Sequence, residues 1–194
     1  MARKERKVAL LLRRARPLAY SRLQIGLHWI VAVLVVAQYA SSGAIVRTHS
    51  VHLIGQRPSS TDVFLHNLHN RVGLAIGVLM RGRLALRFST GAPAPSHALR
   101  GWASRLTQGV HYAFYLVLIT ESATGAIAAY FWWPISSVHV ILFKILLGLV
   151  IVHVMAALWH EFGVRDGNLR RMLFLPAAST KSKVSNGPGR IGPI

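Results

Sequence analysis

The chain has 194 residues, of which 53% are hydrophobic, and carries a formal net charge of +18 with no cysteine. The apolar fraction is high for a soluble domain, and the lack of cysteine excludes disulfides, thiolate metal centres, iron–sulfur clusters and covalently attached haem. The basic residues gather between apolar runs, without the aromatic–basic alternation of a nucleic-acid surface, so nucleic acid is not an expected partner.

In chain order, residues 1–19 read as a basic cytoplasmic arm. Its apolar patch Val8–Leu12 is too short for a signal-peptide core, and the arm is expected to be disordered or in part an interfacial amphipathic helix. Four apolar runs follow: Leu23–Val46, Val63 to about Phe88, about Leu106 to Trp133, and Ile135 to about Phe162. Each is long enough to cross a ~30 Å hydrocarbon core as a helix. The second is the most polar, with His66, His69, Asn70 and Arg71 in its first turns. Residues 173–194 read as a disordered cytoplasmic tail, small, polar and rich in Pro and Gly.

The connections differ in charge. Arg81, Arg83, Arg87, Arg100 and Arg105 surround the loop between runs two and three, and Arg165, Arg170, Arg171, Lys181, Lys183 and Arg190 follow run four. The first connection holds only Arg47 and Arg57, and Phe131–Ser137 holds no basic residue. Because basic segments stay in the cytoplasm, the expected architecture is an all-α membrane protein: a bundle of four transmembrane helices with both termini cytoplasmic. Trp29, Trp102, Phe131, Trp132, Trp133 and Trp159 fall near span ends, where interfacial aromatics collect.

Ten histidines stand out in so apolar a chain. His49, His52 and His97 are expected in loops, and His66 at the interface. His139 and His153 lie fourteen residues apart in the fourth run, which brings them to one helix face about 21 Å apart. That spacing suits two haems stacked across a membrane. Partners are expected at matching depths: His69 with His139 on the outer side, and His28 with His153 on the inner side. Two imidazole ligands leave an iron no open position, which fits electron transfer rather than oxygen activation. His111, also on the inner side, is an alternative to His28, and His160 continues the His153 face; either is a candidate for a quinone head group or a proton relay. Gly73, one turn beyond His69, removes bulk where a porphyrin edge could rest, and Gly125 lies mid-span in the third run. Glu121 is expected mid-span, protonated or paired, in a helix contact or a proton path to quinone.

These residues resemble the bacterial cytochrome b561 family, which overlaps the b-type cytochrome subunits of nickel–iron hydrogenases. The resemblance runs from Tyr20 to about Met172 and rests on Tyr20–Ile25 with His28-Trp29; on His69–Gly73 with Leu79-Met80 and Arg83; on His111, Tyr115 and Gly125; and on His139, His153, His160, Asp166-Gly167 and Arg171-Met172. It implies a haem domain over residues 20–172 in the bacterial inner (cytoplasmic) membrane. Two non-covalent haems b would have His28, His69, His139 and His153 as axial ligands, with electron exchange with ubiquinone. One branch resembles a superoxide oxidase. The implied partners are a periplasmic redox donor or an enzyme such as a hydrogenase or dehydrogenase. The chain departs from the family pattern at Ser122, where proline is usual, at Val140, where an acidic residue is usual, and in a very short outer connection from Tyr130 to His139.

Overall fold

The computed structural model describes residues 20–91, 102–164 and 168–173. The basic arm 1–19, His97 and Arg100, Asp166-Gly167 and residues 174–194 of the tail lie outside the described residues. The described chain is all helical: α1 (Arg22–Leu53), α2 (Ser60–Thr90), α3 (Trp102–Tyr130), α4 (Ser136–Leu158) and a short α5 (Asn168–Leu173). A single 3₁₀ turn, Trp133–Ile135, joins α3 to α4, and a π-helical turn, Trp159–Val164, continues α4.

Local chemistry sets the boundaries. The Ser21 hydroxyl accepts from the Gln24 amide at 3.2 Å while the Gln24 side chain accepts from the Ser21 amide at 3.0 Å, a reciprocal cap on the first turn of α1. The Ser59 hydroxyl likewise accepts from the Asp62 amide at 3.1 Å and starts α2 just after Pro58. α1 outruns the apolar stretch that announced it. The polar segment after Val46 contains no proline or glycine before Gly55, and Thr48 satisfies its hydroxyl on the Ala44 carbonyl at 2.7 Å. His49 and His52 therefore lie in helix, not in a loop as their polar surroundings led one to expect. The end of the apolar run marked neither the end of the helix nor the end of burial, since Thr48 is buried beyond it.

Among the described residues three helical stretches, Arg22–Leu53, Arg105–Tyr130 and Trp133–Gly163, are long and apolar enough to cross a membrane. The 31-residue α2 has the length but carries Asp62, Arg71, Arg81, Arg83 and Arg87 along it, so its composition alone does not mark it as a span. Its place is set by packing. α1 packs on α2, α2 on α3 and α3 on α4. The mid-depth core is Val31, Ile76, Met80, Val117, Leu118 and Leu146, drawn from all four helices.

The ends are tied by polar contacts. At one end Arg47 meets Asp62 at 2.7 Å, and the Arg47 and Ser59 hydrogen bonds hold the Asp62 carboxyl below the usual carboxylate range. That contact is present near neutral pH and is lost as pH falls through the depressed value. At the other end the Gln24 side chain donates to Thr90 Oγ1 at 3.1 Å, and the Trp29 indole donates to the Met172 carbonyl at 2.8 Å, docking α5 on α1.

Gly77 fixes the closest approach of α2 and α3. A Cβ there would overlap the Ser122 side chain, whose hydroxyl donates to the Gly73 carbonyl at 2.8 Å. Ser122, where the family pattern has proline, thus stitches two helices together. Gly77→Ala is expected to lower stability by about 1–3 kcal/mol, the usual cost of overpacking. Adding Ser122→Gly should recover part of the loss. Thermal unfolding of the detergent-solubilised variants checks both.

Candidate functional site

The sequence-selected histidines fall into two clusters at the two ends of the bundle. In the first, His69 on α2 and His139 on α4 face each other with ring centroids 6.4 Å apart and planes at 79°. In the second, His28 on α1 and His153 on α4 stand 6.3 Å apart with planes at 59°, and His111 on α3 lies 5.8 Å from His153. Phe114 closes on His153 at 5.3 Å, and Trp29 on His28 at 5.4 Å. His139 and His153 are separated by about 21 Å along α4.

Hydrogen bonds fix the tautomers of the first pair. His69 Nδ1 lies 3.2 Å from the Ser41 hydroxyl, which donates its own proton to the Ala37 carbonyl at 2.8 Å and so accepts from the ring. His139 Nδ1 lies 3.1 Å from the Glu121 carbonyl, 3.3 Å from Glu121 Oε1 and 3.4 Å from Thr124 Oγ1. A carbonyl only accepts, so the ring nitrogen donates. The Thr124 proton is directed to the Thr120 carbonyl at 2.9 Å, leaving its oxygen as an acceptor too. Both rings thus keep the proton on Nδ1 and turn an Nε2 lone pair free of these bonds. In the second cluster His111 does the same, donating from Nδ1 to the Thr107 carbonyl at 2.7 Å.

The surroundings are close and mostly apolar. Gly125 makes room for His139, since a Cβ there would lie 3.0 Å from the ring carbon Cε1. Gln38 Nε2 donates to the His69 carbonyl at 3.0 Å, pinning α2 to α1 at that depth. Ser41, Glu121 and Thr124 are all buried, and Glu121 Oε2 has no hydrogen-bond partner among the described residues. Arg83, half-buried on α2, acts electrostatically on His28, His111 and His153 and on the phenols of Tyr20 and Tyr115.

The remaining histidines divide. The His49 ring lies 4.2 Å from Trp133 and 5.5 Å from His66, tilted against both, near the 3₁₀ turn and away from either pair. His160 sits on the π-helical turn beyond α4, a kind of irregularity common at functional sites. Gly73 faces the Gln38 side chain, at 2.7 Å from a notional Cβ, rather than an open edge. Sequence reasoning passed over Ser41, Gln38 and Thr124, whose role depends on helix rotation. It also passed over Lys144, an exposed cation inside the apolar run of α4, which a search for charge within spans would have found.

A family model described as prokaryotic cytochrome b561 matches residues 19–174. Among curated proteins, cytochrome b562 of Cereibacter sphaeroides is 30% identical over 159 residues, covering 79% of this chain and 94% of that protein. The probable superoxide oxidase CybB of Yersinia pestis is 28% identical, with 79% and 95% covered. Cytochrome b561 homolog 1 of Escherichia coli K12 is 26% identical, with 79% and 96% covered. With a family match over most of its length and apolar helices that suit a multi-pass membrane protein, the chain belongs to the prokaryotic cytochrome b561 family of haem-binding electron-transport proteins.

Proposed function

We propose that the chain moves electrons across the bacterial inner membrane between a donor on the periplasmic side and the ubiquinone pool. It would use two non-covalent haems b, one held by His69 and His139 and the other by His28 and His153. The observation that carries this reading is the pair of imidazole couples, at 6.4 Å and 6.3 Å, stacked at two depths of one bundle. At this spacing each couple would be able to hold one haem iron through its two imidazoles. Haem iron held by two imidazoles carries one electron at a time and has no open coordination position.

The remaining work belongs to the protein's own side chains. Ser41, and Glu121 with Thr124, hold the Nδ1 protons of His69 and His139 and so orient both rings, the usual support for a metal-bound imidazole. Gly125 lets the His139 ring lie against α3. Arg83 places a positive charge beside the inner cluster, where it favours electron-rich species. His111 shares the inner cluster and the same tautomer, which makes it the rival to His28 as a ligand and otherwise a wall toward the quinone side. His160, at the inner exit of α4, is a second candidate for proton relay to quinone.

The charge distribution supports cytoplasmic termini. The first connection holds only Arg47 and Arg57, against the many arginines that flank the connection between α2 and α3. Superoxide is one candidate donor, since one relative is named a probable superoxide oxidase. A second reading is a membrane anchor and electron conduit for a hydrogenase- or dehydrogenase-type enzyme. The exposed aromatics Phe131, Trp132 and Trp133 on the short outer turn favour it, as a flat apolar surface free of basic residues.

Protein purified from haem-replete cells is expected to yield close to two acid-extractable haems b per chain. Well-folded, colourless protein would contradict the reading. His69→Ala and His139→Ala should each remove the same spectral component, and His28→Ala and His153→Ala the other, while His111→Ala keeps both. If His111→Ala removes the inner component and His28→Ala does not, the ligand roles of these two are exchanged. For topology, reporter fusions at Gly91 and Ser182 should read cytoplasmic and one at Ser59 periplasmic; a periplasmic signal at Gly91 breaks the four-span arrangement.

A further inference from the structure

Lys144 lies within Trp133–Gly163, the most apolar of the membrane-length stretches. Its side chain is exposed, and among the described residues it takes part in no ion pair. Depth makes this costly. Trp133 and Trp159, both exposed, mark the two ends of the stretch as interfacial aromatics do. Lys144 stands about 16 Å from the first and about 22 Å from the second along the helix axis. That is near the centre of a ~30 Å hydrocarbon layer, and a four-carbon stem cannot carry an ammonium group from there to water.

Rotation shows what the lysine does not serve. At about 100° per residue, Lys144 points about 140° away from His139 and about 180° away from His153 on the same helix. Leu146, which packs into the core, is about 160° away. The lysine therefore faces away from both histidine clusters. It shares its face with Val140, Ile141, Gly148, Ile151 and Met155, all exposed. A Cβ on Gly148, one turn from Lys144, would meet nothing within 4 Å.

The chain offers this ammonium group no carboxylate at its depth. Of its five acidic residues, Asp62 pairs with Arg47 and Glu121 faces His139. Glu161 stands about 25 Å further along the same stretch, and Glu5 and Asp166 fall outside the four apolar runs. A second copy packed about a two-fold axis on this face would set lysine against lysine. Lipid phosphates stay at head-group level, beyond the reach of the side chain.

We infer that this face of α4 docks a transmembrane helix of a different protein, which presents a carboxylate to Lys144 at mid-depth and packs closely over Gly148. Pairing with an opposite charge is the usual way a membrane bundle satisfies an intramembrane ion, and an uncovered glycine permits close helix approach. The inference stands on the membrane placement of α4 and is independent of the haem and quinone assignments.

The test reconstitutes the full-length holoprotein in liposomes with a fluorescent polyleucine transmembrane peptide carrying one central glutamate, and reads association by resonance energy transfer. The glutamate peptide is expected to bind about tenfold more tightly than an all-leucine peptide. Lys144→Met should abolish that difference, Lys144→Arg should keep most of it, and Gly148→Ile should weaken it. Purified Lys144→Met should keep wild-type haem content and thermal stability, since no partner within the chain is lost. In native membranes, a photoreactive amino acid in place of Ile141 should capture another protein through a membrane segment with a central Asp or Glu, and Lys144→Met should remove the adduct. Equal binding of the two peptides, or a difference that survives Lys144→Met, overturns the inference. A loss of stability in purified Lys144→Met also overturns it, by placing the partner inside the chain. So does an adduct at Ile141 with a second copy or with lipid alone.

Discussion

Polar groups placed inside hydrocarbon have to be satisfied from within, and in this bundle the groups that impose the constraint are imidazoles. Five of them sit on four helices at two depths. The local sequence is arranged around them: a serine on α1 for His69, a carbonyl, a carboxyl and a threonine on α3 for His139, a glycine where the His139 ring must lie close. Glu121 shows how demanding this is. One carboxyl oxygen reaches His139 and the other is buried with no partner among the described residues, a cost a membrane helix rarely carries without a functional return. Its contact with His139 fits a carboxyl that orients a ring, the simpler of the two roles its sequence position allowed.

The same constraint explains how the helices are spaced. Consecutive helices pack directly, with Gly77 against Ser122 at one of the tightest points. α1 and α4 instead meet through rings, His28 with His153 and Tyr39 with Phe143 at 6.2 Å. Between the two histidine clusters the core is aliphatic. The packed mid-depth core separates the two clusters.

Much of this was legible in the chain because membrane helices report their rotation and depth through simple periodicity. The fourteen-residue interval between His139 and His153 fixed both a face and a separation, and direction of entry paired His28 and His69 with them. Where the chain leaves regular helix or apolar composition the reading failed. His49 and His52 looked like loop residues because polarity rose at Val46, yet backbone hydrogen bonding continued to Leu53. The reading of the second run as the weakest span does hold: among the described residues α2 is not one of the stretches apolar enough to cross a membrane, and packing on two neighbours holds it in place. Ser41, Gln38 and Thr124 are ordinary helix residues until their neighbours are known. The π-helical turn at Trp159 had no signal in composition.

The central claim, that each histidine couple holds one haem iron between two imidazoles, is tested most directly by electron paramagnetic resonance of the oxidised wild-type protein. The ring planes of the two couples are far from parallel, at 79° and 59°. Imidazole planes crossed in this way leave the iron orbitals nearly degenerate and give strongly anisotropic low-spin signals. The account predicts two such ferric signals, of equal integrated intensity and together accounting for two irons per chain. A single low-spin species, or a high-spin signal from iron with an open position, would contradict it.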